Sequence, residues 1–151
     1  MARLIASFFG TGLILRRVRG EDMGSGTLAG MFALVIAVLL GEVGWWAQAA
    51  AALVVTLASL ISVRRFADAE GDPGWVVVDE AAGTFLATIG LVLPAAVVAW
   101  LVFRTADIFK GAFPGVAAAE DLPGAVGVTA DDLVAGLYGL AAGWALQALL
   151  F

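Results

Sequence analysis

Long uncharged stretches alternate with short charged ones along this chain. Four stretches without a charged residue are long enough to form membrane-spanning helices, at residues 23–41, 43–63, 81–103 and 133–151. A helix needs about 20 apolar residues to cross a bilayer, with a range of roughly 17 to 25. The pattern therefore predicts an all-α fold, a polytopic bundle of membrane helices.

The third stretch contains Pro94 near its middle. Proline breaks or kinks a helix interior but is well tolerated in a first turn. We therefore predict two helices here, and a single kinked helix through Phe103 is the alternative. About five helices result, several of them short, at residues 27–41, 45–65, 77–93, 94–110 and 131–151. Residues 4–15 suggest a further short helix lying at the membrane surface.

Composition supports a membrane protein. Hydrophobic residues make up 62% of the 151 residues and the mean hydropathy is +1.02. One domain of this size, which we expect to span residues 1–151, cannot hide that much apolar surface from water. The net charge of −5 argues against a nucleic-acid partner. The sequence leaves the oligomeric state open.

Basic residues predict the orientation of the bundle. Threading the five helices back and forth places the bases at one face, namely Arg16, Arg17, Arg19, Arg64, Arg65, Arg104 and Lys110. The positive-inside rule makes this face cytoplasmic. The opposite face carries Glu42, Trp45 and Trp46, and tryptophans suit a membrane interface. In the last helix, Gly136, Gly139 and Gly143 share one side, which predicts close helix packing.

The same threading brings acidic residues to the face with the bases. Asp79 and Glu80 open the third helix, Asp107 lies near the end of the fourth, and Asp131 and Asp132 open the fifth. Each has a structural explanation: acids favour a first helical turn, Thr129 and Asp132 fit a capping box, and Asp107 can pair with Arg104 or Lys110. Ionisable groups at a membrane boundary are nevertheless functional candidates, above all when three helices supply them together.

Clustered carboxylates favour a hard cation such as Mg²⁺, Ca²⁺ or Mn²⁺. Neighbouring Arg104 and Lys110 suit phosphate. Metal-assisted phosphoryl chemistry on an anionic lipid headgroup is the reaction class that this combination suggests. The chain has no histidine, no cysteine and no Asp-x-Asp pair, which leaves water, activated by a metal ion, as the nucleophile.

Three segments carry a resemblance to a known family. They are DPGWVVVDEAAG at 72–83, FRTADIFK at 103–110 and GAVGVTADDLVAG at 124–136. In their order and spacing, over roughly residues 8–140, they resemble phosphatidylglycerophosphatase A, the magnesium-dependent membrane phosphatase of bacterial phosphatidylglycerol synthesis. The resemblance implies hydrolysis of phosphatidylglycerol phosphate in the bilayer, with the active site facing the cytoplasm and the protein in the bacterial inner membrane.

The resemblance also implies roles for individual residues. Asp79, Asp107, Asp131 and Asp132 become catalytic Mg²⁺ ligands or water-activating groups, with Glu80 as a supporting ligand. Arg104, Lys110 and Thr27 become the substrate-binding residues. The family's N-terminal prolines are missing from RRVRGEDMGSGT at 16–27, and Gly111 replaces the proline that usually follows the lysine.

Two alternatives stay open at this point. Arg16, Arg17 and Arg19 either anchor the chain by the positive-inside rule, which we favour, or supply phosphate contacts of their own. A non-enzymatic transporter or membrane subunit whose acids bind cations is the alternative to a phosphatase, and it predicts acids along a pore instead of at one end.

Overall fold

The computed structural model describes residues 1–70 and 73–150, with the side chains of residues 67–70 left out. Within these ranges the chain forms eight α-helices and no strand. They are α1 (Ala2–Ala6), α2 (Ile14–Arg19), α3 (Ser25–Gly41), α4 (Trp45–Glu70), α5 (Val78–Ala87), α6 (Leu93–Ile108), α7 (Val116–Glu120) and α8 (Ala125–Leu150). The predicted all-α fold is confirmed.

The five predicted helices correspond to α3, α4, α5, α6 and α8, and the count of five was too low by three short helices. Three bounds were also wrong by more than a turn. Helix α4 ends at Glu70 instead of residue 65. Helix α5 ends at Ala87 instead of residue 93, because Gly90 adopts a left-handed conformation (φ 72°). Helix α8 begins at Ala125 instead of residue 131, directly after Gly124 (φ 61°). Residue 151, the predicted end of this helix, lies outside the described part.

The predicted surface helix at residues 4–15 is not continuous. Phe8 and Phe9 take positive φ angles of 45° and 58°, and these separate α1 from α2. This segment packs against the chain entering α5: the Val77 amide donates to the Ala6 carbonyl over 2.9 Å, and the rings of Phe8 and Phe85 meet edge to face. The N-terminal segment therefore supports the start of α5.

The connection between α5 and α6 is held by glutamine side chains. Gln48, 1% exposed, accepts a hydrogen bond from the Gly90 amide at 2.7 Å and donates to the Ala37 carbonyl at 2.9 Å. Gln147 accepts from the Val92 amide at 2.7 Å. Because Pro94 lies in the first turn of α6, the two-helix prediction is confirmed and the kinked single helix is wrong.

Helix α8 packs closely against α5 and α6 through its glycines. A Cβ added at Gly136 would lie 2.8 Å from the Gly83 carbonyl oxygen, and one at Gly139 would lie 2.5 Å from the Ala99 carbonyl oxygen. Both distances are too short for a real Cβ, so the backbones approach because no side chain separates them. The predicted role of these glycines is confirmed.

Two helices are long and apolar enough to cross a membrane, namely Trp45–Phe66 within α4 and Ala125–Leu150. Only 28% and 22% of their apolar windows are buried inside the structure. A central helix of a soluble protein would be mostly buried, so these helices indicate a membrane protein.

The bundle has two chemically different ends. Asp131 and Asp132 lie near the start of α8, and Trp144 lies twelve residues after Asp132, roughly 18 Å along the helix at 1.5 Å per residue. Trp144 lines a cavity of about 650 Å³ together with Glu42 and Trp45. Arg64, in contrast, lines a cleft with Gly124 at the start of α8. Arg64 is therefore at the acidic end, and Glu42 and Trp45 are at the other end.

We expect Gly139→Ala to destabilise the protein by about 1–3 kcal/mol, because its Cβ would meet the backbone of α6, which cannot move aside as a flexible side chain could. This cost exceeds the gain of about 0.5–1 kcal/mol that alanine brings to a helix interior. Thermal unfolding in detergent measures the difference.

Gly111→Ala is the matched control, since nothing lies within 4 Å of a Cβ there. A Gly139→Ala protein as stable as the unmodified chain would contradict the close packing of α6 and α8.

Candidate active site

Three carboxylates converge where α5 and α8 meet. Asp79 and Glu80 lie in the first turn of α5, and Asp132 lies in the second turn of α8. One carboxylate oxygen from each lies within 4.8 Å of the others. Asp79 and Asp132 are each only 3% exposed.

The helix register explains this convergence. Gly83 follows Asp79 by four residues and Gly136 follows Asp132 by four, so each glycine lies one turn from its carboxylate on the same helix face. Since Gly83 and Gly136 let the two backbones touch, the carboxylates above them are brought together. Three like charges at this distance are costly in a buried site unless something neutralises them.

The donor set of this cluster fits a metal ion. Asp132 Oδ1 is buried and has no hydrogen-bond partner among the described residues. Buried polar atoms seldom lack a partner, and a carboxylate oxygen that accepts no hydrogen bond keeps its lone pairs available to a cation. Carboxylate oxygens are ligands for hard cations, so Asp79, Glu80 and Asp132 could bind one.

Thr129 and Asp132 do not form the capping box that was the structural alternative. Helix α8 starts at Ala125, which places both residues in its second turn, where no free helix end remains to be capped. Thr129 instead shares a 2.7 Å hydrogen bond with Ser59 of α4. For the same reason Asp131 and Asp132 do not open the helix as predicted.

Arg104 lies beside the three carboxylates, near the end of α6. Its Nη1 is 2.6 Å from Asp107 Oδ2, which is the pairing expected from their spacing, and its Nη2 donates to Thr27 Oγ1 over 3.3 Å. Neither Nε nor Nη1 of Arg104 has a hydrogen-bond partner in the part of the chain described. The contact with Asp107 is therefore a close ion pair without hydrogen-bond alignment. The guanidinium therefore keeps unused donors although its side chain is only 12% exposed.

Lys110 bridges two acids on the other side of the cluster. Its Nζ lies 2.8 Å from Glu120 Oε1 and 2.5 Å from Asp131 Oδ2. Burial lowers the pKa of Lys110, but the hydrogen bonds that Lys110 donates to Asp131 and Glu120 raise it by more, so the net shift is upward. Lys110 thus stays protonated at any physiological pH.

The structure brings most of the predicted site residues together. Asp107, Glu80 and Asp131 all interact electrostatically with Asp132, so the acids from three helices share one neighbourhood. Within it, Asp107 and Asp131 stand outside the closest group of three. Asp131 Oδ2 accepts a hydrogen bond from Lys110 Nζ, and Asp131 Oδ1 accepts one from the Asp132 amide. Asp72, the first residue of the resemblance, lies outside the described residues.

Sequence reasoning missed Gly26 and Glu120. A Cβ at Gly26 would overlap the Glu80 carboxylate, so this glycine is part of the site wall. The available signal was Gly-Ser-Gly-Thr at 24–27, directly before an apolar helix. No sequence feature indicated Glu120, since α7 comes close to Lys110 only when the chain folds.

Fold and site together define a helical membrane protein with an acidic centre that could bind a metal ion, beside a guanidinium that could bind an anion. The family model of phosphatidylglycerophosphatase A matches residues 4–147, and the chain belongs to this family. It is therefore a phosphoric monoester hydrolase, a lipid phosphatase of phospholipid biosynthesis. No curated protein and no solved structure matches the chain. Membership of an enzyme family favours the phosphatase over the transporter alternative.

We expect Lys110→Met to destabilise the protein by about 3 kcal/mol, because it leaves the Asp131 carboxylate, 6% exposed, without its cation. Glu120→Gln should cost about 1 kcal/mol or less, since that side chain is 53% exposed. Denaturant unfolding in detergent compares the two.

Adding Asp131→Asn to Lys110→Met removes the uncompensated charge and should restore part of the lost stability. Equal, small effects of Lys110→Met and Glu120→Gln would show that the ion pair with Asp131 is not buried.

Proposed function

We propose that this chain, as a single domain over residues 1–151, hydrolyses phosphatidylglycerol phosphate to phosphatidylglycerol and inorganic phosphate at the cytoplasmic face of the bacterial inner membrane, with Mg²⁺ as cofactor. The observation that carries the proposal is the group formed by buried Asp79 and Asp132 with half-buried Glu80, whose oxygens lie within 4.8 Å of one another, beside Arg104. Water's oxygen bonds to phosphorus, the bond from phosphorus to the headgroup oxygen breaks, and a proton passes to the leaving alcohol.

Mg²⁺ suits this donor set. It is usually held by one or two carboxylates and keeps coordination positions for water and phosphate oxygens. When bound, the ion supplies positive charge that polarises a phosphoryl oxygen and activates water. Asp79, Glu80 and Asp132 would hold it, since they supply the closest group of oxygens.

Arg104 would bind the phosphate. A guanidinium donates two parallel hydrogen bonds to phosphate oxygens, and the buried Nε of Arg104 is a donor without a partner in the described part of the chain. Asp107 would fix the orientation of this guanidinium through the 2.6 Å contact, and Thr27 would fix its other end. Since the site is largely shielded from water, these interactions gain strength.

The present ion pairs argue against three of the predicted roles. Asp107 and Asp131 as metal ligands, and Lys110 as a phosphate ligand, require these groups to leave or share their present partners. Asp107 pairs with Arg104, and Asp131 pairs with Lys110. We favour a positioning role for Asp107 and a structural role for the pair of Lys110 and Asp131.

The nucleophile is water in this proposal. The chain contains no histidine and no cysteine, so neither residue can form a phosphorylated intermediate. A lipid with its phosphate at headgroup depth suits a site at one end of the bundle, and the bases near that end favour the cytoplasmic side.

We expect the protein in detergent to release phosphate from phosphatidylglycerol phosphate with Mg²⁺ and to stop when a chelator is added. Asp132→Asn should lower the turnover by at least about a hundredfold, since even groups that only orient metal ligands contribute about 10–100-fold. Mg²⁺ should also raise the melting temperature of the unmodified protein and not that of Asp132→Asn, because only a bound ion stabilises the fold.

Asp121→Asn is the matched control, since Asp121 is exposed and lies outside the cluster. It should keep both the turnover and the response to Mg²⁺. Phosphate release that ignores the chelator would overturn the proposed cofactor.

The proposed sidedness has its own test, because the chain has no native cysteine. Glu42→Cys lies at the end with Trp45 and Trp144, and Asp121→Cys lies at the acidic end, and both positions are exposed. In intact bacterial cells, a membrane-impermeant maleimide should label Glu42→Cys, whereas Asp121→Cys should react only after lysis. The reverse pattern would place the active site on the outer face.

A further inference from the structure

The first turn of α3 faces the acidic centre. Its residues Ser25, Gly26 and Thr27 follow Gly24, which adopts a left-handed conformation (φ 87°) and ends the preceding loop. The Ser25 amide donates to the Asp22 carbonyl and the Leu28 amide donates to the Gly24 carbonyl. Between them, the amides of Gly26 and Thr27 have no partner within the helix, as is usual for first-turn N–H groups.

Two side chains at this turn have polar atoms without partners. Ser25 is 1% exposed, and its hydroxyl makes no hydrogen bond to any part of the chain that is described. Arg104 extends to the same turn: its Nη2 is 3.3 Å from Thr27 Oγ1 and would be 3.3 Å from a Cβ at Gly26, while its buried Nε has no partner among these residues. A helix N-terminus, a guanidinium and a buried hydroxyl thus occur together, and all three favour an anion.

Gly26 has no side chain to keep Glu80 and Arg104 away from this turn. A Cβ there would overlap Glu80 Oε1, the far end of a flexible side chain, and would crowd Arg104 Nη2. The missing side chain therefore lets Glu80 and Arg104 both lie against the backbone of α3. Because Glu80 also belongs to the group with Asp79 and Asp132, the turn borders the candidate metal site.

We propose that the first turn of α3, with its Gly26 and Thr27 amides and the Ser25 hydroxyl, forms with Arg104 a subsite for a phosphate monoester dianion. This inference rests on the proposed function and deepens it, since it assigns the phosphate to α3 and Arg104, and not to Lys110. Lys110 is already neutralised by Asp131 and Glu120. Substrate headgroup and product phosphate share this chemistry.

Direct binding tests the subsite without a metal. Inorganic phosphate and glycerol 1-phosphate, a soluble form of the headgroup ester, are titrated into the detergent-solubilised protein by calorimetry in excess chelator. We expect Arg104→Gln to weaken binding at least about tenfold, as is typical for a lost hydrogen bond to a charged group. Gly26→Ala should weaken it as well while leaving the helical circular dichroism unchanged, because the displaced atom is a side-chain end.

The matched control for Arg104→Gln is Arg65→Gln, an exposed position outside the subsite, which should bind both ligands as the unmodified protein does. Loss of both ligands in Arg104→Gln and Gly26→Ala supports a subsite for the dianion itself. Binding of one ligand alone, lost in the same variants, supports the subsite and identifies headgroup or product as its source.

The subsite is overturned if the unmodified protein binds neither ligand, or if Lys110→Met abolishes binding while Arg104→Gln and Gly26→Ala do not. Such a result leaves the proposed function intact when Mg²⁺-dependent phosphate release persists. Phosphate binding without Mg²⁺-dependent release would overturn the proposed function alone.

Discussion

The close approach of α5 and α8 at Gly83 and Gly136 is the contact on which the site depends. The two backbones touch there without side chains between them. One turn away on each helix, the same approach brings Asp79 and Glu80 against Asp132. Any residue larger than glycine at position 83 would also meet Phe103 and the Asp132 carbonyl, so it would separate the carboxylates. Small residues, which favour packing in a membrane, here also set the spacing of charges.

This packing concentrates more negative charge than the chain neutralises. Six carboxylates (Asp79, Glu80, Asp107, Glu120, Asp131 and Asp132) share the site with only two basic side chains among the described residues, Arg104 and Lys110, which leaves an excess of four negative charges. Lys110 is bound to Asp131, and Arg104 is bound to Asp107 while also interacting electrostatically with Asp132. Buried like charges oppose folding, and a divalent cation would remove most of that cost. A cation bound by Asp79, Glu80 and Asp132 would therefore also stabilise the fold.

Much of the architecture could be predicted from the sequence, because membrane helices depend on length and apolarity. The apolar runs located α3, α4, α6 and α8, and Pro94 located the break before α6. The start of α8 was missed because the prediction placed it at the acidic pair Asp131 and Asp132. The segment before that pair, Ala125–Ala130, is short and uncharged, and only Pro123 and Gly124 indicate that a helix begins there. The end of α5 was missed because Gly90 lies inside an apolar run and its unwinding is stabilised by Gln48, 42 residues away in sequence.

Most residues of the site could be predicted from the sequence, but most of the contacts between them could not. Sequence spacing gives the pair of Arg104 and Asp107, which lie on one helix face. It cannot give the contact of Gly26 with Glu80 or that of Lys110 with Glu120, since each joins elements whose relative positions are set only by folding.

The polar groups of the bundle separate into two kinds by their hydrogen bonding. At the turn between α5 and α6, Gln48 and Gln147 pair with backbone amides and carbonyls, as non-helical backbone within a membrane bundle requires. At the acidic end, buried atoms of Ser25, Arg104 and Asp132 lack such partners among the described residues. Buried polar atoms seldom lack a partner, so those of Ser25, Arg104 and Asp132 require an explanation. The unpartnered atoms of Ser25, Arg104 and Asp132 lie at the end of the bundle where the proposed ligands would bind.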